Sequence, residues 1–238
     1  MQRKFVFSIG EYYHIYNRGV EKRDLFLDNS DRDRFMRLLY VSNGTNPVAL
    51  KDSRGRPLGD IQRGEQLVHI GAYCMMPNHF HILVKEIADG GITKFMSKLS
   101  TAYSMYFNKK SDRKGSLLEK PFRAKHADSD EYLKYLFSYI HLNPVKIVEP
   151  KWKETGISDA SGAKQYLLGY KYSSYHDYVS NDKRDASLIL NKESFPEYFV
   201  DANSFENFVE DWLNFSWTEE KLSHQGRPLA IYQGSSLV

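Results

Sequence analysis

A single cysteine, Cys74, stands in 238 residues, so neither a disulfide framework nor a cysteine-rich zinc module can be built. No apolar run approaches the roughly 20 residues that cross a bilayer. The basic start, Met1-Gln2-Arg3-Lys4-Phe5, lacks the apolar stretch that would follow it in a signal peptide. Repeats and low-complexity tracts are missing too. Net charge is small, +3, too mild to name a partner. What is present, 41% hydrophobic and 26% charged residues, suits a cytoplasmic-type globular chain with a packed core.

The charge is unevenly spread. Between Gly91 and His126 nine basic residues (Lys94, Lys98, Lys109, Lys110, Arg113, Lys114, Lys120, Arg123, Lys125) meet two acidic ones, Asp112 and Glu119. Between Asn191 and Glu220 eight acidic residues meet one lysine, Lys192. A basic middle points to a bound polyanion, and solvated helix faces are the plainer account. The 17 tyrosines belong mostly to packing, although a phenol is also a nucleophile and a stacking platform.

Periodicity orders the first part of the chain. Tyr12–Asn17 is β-branched and aromatic and reads as a strand before Gly19. Phe35, Leu38, Leu39 and Ser42 share one helical face, with Asn29, Ser30 and Asp31 offering an N-cap. Asn43–Glu65 is polar and rich in Gly, Pro and Arg, which predicts a mobile loop or insertion near 44–65. Leu67–Met75 and His79–Glu86 form a hairpin through Pro77-Asn78. Ile92–Lys109 has helical spacing and Leu117–Ala127 is extended. Ser129 caps a helix that Pro144 stops near Asn143. This order predicts an α+β fold, a ferredoxin-like antiparallel sheet with helices packed on one face. Residues 1–150 would form the main domain. Residues 151–238 would be an acidic, mostly helical C-terminal extension, with Phe195–Trp217 as one or two helices.

Two clusters carry chemistry. In His79-Phe80-His81, positions i and i+2 of a strand project both imidazoles to one side, as a metal-gripping pair would be. Phe80, Ile82 and Val84 then pack on helices. A chance pair of surface histidines has the same spelling. In the late helix, Tyr132, Tyr135, Leu136, Tyr139, Leu142 and Asn143 form one stripe, and Tyr139 and Asn143 are surface neighbours four apart. Spacing alone does not choose among Tyr132, Tyr135 and Tyr139, and a tyrosine at such spacing is usually core.

The string AYCMMPNHFHILVK (Ala72–Lys85) resembles the signature of HUH endonucleases, with Phe80 as the central hydrophobe. YHIYNRG (Tyr13–Gly19) and SYIHLNPVK (Ser138–Lys146) resemble single-tyrosine transposases of bacterial insertion sequences, closest to the REP-associated tyrosine transposases. The likeness runs with gaps from Tyr12 to Lys146. It implies that His79, His81 and Asn143 bind a divalent metal, Mg²⁺ or Mn²⁺, with no nucleotide cofactor, and that Tyr139 is the nucleophile. It further implies cleavage and rejoining of single-stranded DNA beside a hairpin, through a 5′-phosphotyrosine. A phenol of pKa near 10 is only about 0.1% ionised at pH 7, so it needs such help. Imidazole tolerates Mn²⁺ better than Mg²⁺, so Mn²⁺ should serve at least as well.

On this reading Arg18, Lys109, Lys110, Arg113, Lys114, Lys120, Arg123 and Lys125 hold DNA phosphates. Tyr103, Tyr106 and Phe122 either stack on bases or join the core, and His126 is a further site group or structural. Tyr172-Ser173-Ser174-Tyr175 resembles a Trp-Ser-Ser motif and has a packing or DNA-positioning role. The expected setting is the bacterial cytoplasm, nucleoid-associated, with no membrane partner; a homodimer follows from insertion-sequence relatives and a monomer from REP-associated ones. Relaxases and replication initiators are the neighbouring alternatives, but no second tyrosine motif or helicase segment is evident. The alternative from another class is a domesticated, non-cleaving binder of structured DNA or RNA.

Overall fold

The computed structural model describes residues 6–47 and 55–213. Its strands are β1 (Tyr12–Arg18), β2 (Val68–Met76), β3 (His79–Glu86) and β4 (Arg123–His126), and its first helices are α1 (Asn29–Val41), α2 (Gly91–Lys110) and α3 (Asp130–Leu142). Among the described residues they form one four-stranded sheet in the order β2-β3-β1-β4, antiparallel throughout. Short helices α4 (Val145–Val148), α5 (Trp152–Thr155), α6 (Ala160–Gly169) and α7 (Tyr175–Val179) follow, and α8 (Ala202–Leu213) closes the described chain. No helix among the described residues is long and apolar enough to cross a membrane.

The caps explain the helix starts. Asp28, one residue before the expected Asn29, accepts a hydrogen bond from the Asp31 N–H and begins α1. Ser129 does the same for α3 through the Tyr132 N–H. The hairpin turn at Pro77-Asn78 is tied down by the loop after β1. Leu25 and Phe26 donate to the Pro77 carbonyl, and Gly19 donates to that of Asn78.

Helices cover both faces of the sheet, not one. Tyr13, Ile15, Phe80, Ile82 and Val84 pack with Phe35, Leu38 and Leu39 of α1 and Ile92, Phe95 and Leu99 of α2. Ala72, Cys74, Met76 and Leu83 pack on the other side with Leu133, Leu136 and Ile140 of α3 and Phe205, Val209 and Trp212 of α8. The cause is in β2, whose run Tyr73-Cys74-Met75-Met76 is apolar at both parities and therefore needs cover on both sides.

In the polar stretch 43–65, where it is described, a 3-10 turn at Leu58–Asp60 buries Leu58, Ile61 is buried beside it, and Asn43 bonds both Leu67 and Val68. Within the span 195–217, where one or two helices are expected, Ala202–Leu213 is helical, and positions beyond 213, including Glu219 and Glu220, lie outside the described residues.

The segment after α6 seals the outer edge of β2. Met75 donates to the Tyr172 carbonyl and Ser174 to that of Tyr73, both at 3.0 Å, so the Tyr-Ser-Ser motif pairs like a short added strand. Arg184 locks it by bonding both carboxylate oxygens of Asp177, the Ser173 carbonyl and the Tyr73 hydroxyl.

Candidate active site

Strand alternation sorts the side chains. While Phe80, Ile82 and Val84 enter the α1/α2 core, His79 and His81 stand on the opposite face. The register places Tyr16 of β1 directly across from His81, Cys74 across from it on β2, and Arg18 across from His79. On β4, Arg123 opposes Tyr16 and Lys125 opposes His14, so both cations sit on the histidine side.

The helix α3 lies over this face and brings Tyr139 to it. The Tyr139 ring is edge-on to His81, with centroids 5.6 Å apart, and edge-on to His14 at the same separation. It is half-buried, whereas Tyr132 and Tyr135 of the same stripe are buried, and Tyr135 packs on Trp212. Of the three tyrosines that spacing left open, Tyr139 meets the His81 and His14 rings and is less buried than Tyr132 and Tyr135. Burial, then the neighbouring Tyr16 and Cys74, raise its pKa above the usual phenol value, so it carries its proton at neutral pH.

The two histidines are 5.1 Å apart between ring centroids and nearly perpendicular. His79 is half-exposed and its Nδ1 meets Asn78 Oδ1 at 2.7 Å. His81 is 6% exposed, and its Nδ1 meets His14 Nε2 at 2.8 Å. Asn143, at the C-terminal end of α3, donates from Nδ2 to the Tyr139 carbonyl at 2.7 Å. Its Oδ1 is buried and accepts no hydrogen bond. A buried carbonyl oxygen left unpaired is costly, and a bound cation would satisfy it. Among the described residues no three His, Cys, Asp or Glu side chains are grouped to hold a metal, so a site here needs such an amide oxygen.

Beside His79 opens a cleft of about 280 Å³, lined by Tyr16, Arg18, Lys22, Asn78, Glu119 and Arg123 among others. Glu119 holds Arg18 at 2.5 Å and Arg123 at 3.5 Å, which fixes two guanidinium groups at the cleft wall. The other basic residues are elsewhere. Lys110 binds Asp28 and Asp31 at the start of α1, on the α1/α2 side of the sheet. Arg113 is engaged by Asn108 and the Ser116 carbonyl, while Lys109 and Lys114 are exposed near the end of α2. Lys120 lines a separate groove between α2 and the segment before β4. Tyr103 and Tyr106 are tied into the α1/α2 side by bonds to the Leu25 carbonyl and Asp31, and Phe122 packs on that core. His126 pairs with Glu11.

Sequence reasoning passed over His14 and Asn78. Both lie inside the quoted motifs, so the signal was present, but their partners are set by strand register and a turn.

Residues 61–143, about a third of the chain, match the family model described as "Transposase IS200 like". That span contains His79, His81, Tyr139 and Asn143, so the resemblance drawn from the motifs holds there. No curated protein sequence matches the chain. A solved structure of the REP-associated tyrosine transposase bound to a REP hairpin is similar, with 14% identity over 76% of this chain and 86% of that one and a TM-score of 0.45.

Proposed function

Taking the match of residues 61–143 to the IS200-like transposases as premise, we propose that this chain cuts and rejoins single-stranded DNA next to a folded hairpin. Tyr139 is the nucleophile. The observation that carries the reading is the meeting of its half-buried ring with His81 on the α3 side of the sheet.

The hydroxyl oxygen of Tyr139 attacks the scissile phosphorus and loses its proton. The bond from phosphorus to the 3′ oxygen breaks, and that oxygen takes up a proton to leave as a 3′-hydroxyl. A 5′-phosphotyrosine remains. It conserves the phosphodiester energy, so attack by a 3′-hydroxyl reverses the step without ATP. Tyr139 holds its proton at rest, so the proton has to leave as the oxygen attacks, and a lowered charge on the phosphate would ease that attack.

His79, His81 and the amide oxygen of Asn143 would hold a divalent ion, Mg²⁺ or Mn²⁺, which would neutralise the phosphate and polarise the breaking bond. Imidazole nitrogens and an amide oxygen are donors that such an ion accepts, and the Asn143 oxygen is buried without a hydrogen-bond partner. Arg18 and Arg123 would bind the neighbouring backbone phosphates at the cleft. Lys125, on the same face, would extend that track along β4.

The test incubates labelled single-stranded hairpin DNA with the protein and Mn²⁺. The native chain should form a denaturation-resistant DNA adduct, and Tyr139→Phe none. An adduct that persists in the variant moves the nucleophile elsewhere. Tight binding by the native chain with no adduct would favour a non-cleaving binder.

A further inference from the structure

Beneath both proposed metal ligands lies a second row of hydrogen-bonding groups. Asn78 donates from Nδ2 to the Lys22 carbonyl at 3.1 Å, which fixes its amide orientation. Its Oδ1 therefore faces His79 Nδ1 as an acceptor. The proton of His79 must sit on Nδ1, and the lone pair on Nε2.

His81 has the same arrangement with a different partner. Its Nδ1 lies 2.8 Å from Nε2 of His14, and the two rings stack with centroids 5.0 Å apart at 23°. Two ring nitrogens at that distance share a single proton. If His14 holds it, His81 accepts through Nδ1 and carries its own proton on Nε2, where no metal can bind. If His81 holds it, its Nε2 has a lone pair, as His79 does.

We infer that His14 is the acceptor, a positioning residue that sets the tautomer and ring orientation of His81. Its own proton is then on Nδ1. The inference rests on the reading of His79 and His81 as a metal pair, since only this tautomer makes the two histidines equivalent donors. His14 suits the task because it is 4% exposed and fixed on β1, diagonal to His81 across the sheet. Outer partners of this kind commonly change metal affinity by roughly 10- to 100-fold.

The test has two independent readouts. In metal-free protein labelled with ¹⁵N-histidine, long-range ¹H–¹⁵N correlations should show His81 protonated at Nδ1. Titration with Mn²⁺ alone, followed by the electron paramagnetic resonance of unbound ion, should show about 10- to 100-fold weaker binding in His14→Phe. His14→Gln, whose Oε1 can accept the same hydrogen bond, should stay within a few-fold of native. Proton density on His81 Nε2, or native Mn²⁺ affinity in His14→Phe, overturns the inference. Should the phenylalanine variant fail to fold, the spectrum of the native protein still decides. Native Mn²⁺ affinity in His79→Ala/His81→Ala would instead overturn the metal reading itself.

Discussion

The two faces of β3 are made from alternate residues of one eight-residue strand, yet they are built for opposite purposes. Phe80, Ile82 and Val84 are all but sealed from solvent beneath α1 and α2. One residue out of step, His79 and His81 meet a face that α3 covers incompletely, leaving Tyr139, His79 and a cleft within reach of solvent. At Phe80, Ile82 and Val84 one face serves packing alone, while the other places Leu83 in a second core and still keeps imidazoles, guanidinium groups and a phenol in close array. Separation of support from chemistry thus follows from the two-residue period of a strand.

The sharpest way to break that comparison is to truncate one residue on each face. Phe80 is 1% exposed and packs on Phe35 with centroids 4.8 Å apart. Phe80→Ala should cost about 3–5 kcal/mol in urea unfolding. His79→Ala, on a half-exposed neighbour, should stay within about 1 kcal/mol of native stability while losing Mn²⁺ binding. Comparable destabilisation by the two changes would show that the faces do not divide the work.

A buried histidine sharpens the contrast in another way. His141 donates from Nδ1 to the Phe137 carbonyl at 2.8 Å and takes a hydrogen bond from Ser174 on Nε2 at 2.6 Å. Ser174 also accepts the Tyr73 N–H, so this imidazole ties α3 to the segment that seals β2. Burial pushes its pKa from 6.5 down to about 3. The unfolded chain therefore takes up a proton near pH 6.5 that the folded chain refuses. The contribution is complete above that pH, falls as pH drops toward 3, and then levels. Its slope is at most about 1.4 kcal/mol per pH unit. Urea midpoints between pH 7 and 4 should decline less steeply in His141→Gln, and equal slopes would refute the assignment.

Much of this was legible in the sequence, and the omissions share a cause. Strong local periods gave the β2–β3 hairpin, α2 and α3, and the His-x-His alternation placed both imidazoles on one side. The missed features depend on contacts distant in the chain. His14 reaches His81 only through the β1–β3 register, and the added strand at Tyr172–Ser174 exists only because β2 has an open edge. The two-sided cover was signalled by the apolar parities of β2, but a hydrophobic run does not say what covers it. The basic segment misled differently, since nearness in sequence put Lys110 with Arg123 although the sheet stands between them.

That last pair makes the smallest and most discriminating test. Arg123 reaches Glu119 at 3.5 Å with its side chain 58% exposed, so Arg123→Ala should change stability by no more than about 0.5 kcal/mol. If the guanidinium group contacts a phosphate, hairpin-DNA affinity should fall and its dependence on log salt should weaken by about 1. Lys110 has the reverse commitments, with its ammonium bonded to Asp28 and to Asp31, whose side chain is wholly buried. Lys110→Ala should lower the urea midpoint more than Arg123→Ala does, because it takes the countercharge from a buried carboxylate that then keeps only the neutral Tyr106 hydroxyl and Leu27 N–H as donors. It should leave the salt slope of DNA binding unchanged. If instead the lysine variant lost the salt dependence and the arginine variant kept it, the DNA track would run over the α1/α2 side, away from Tyr139.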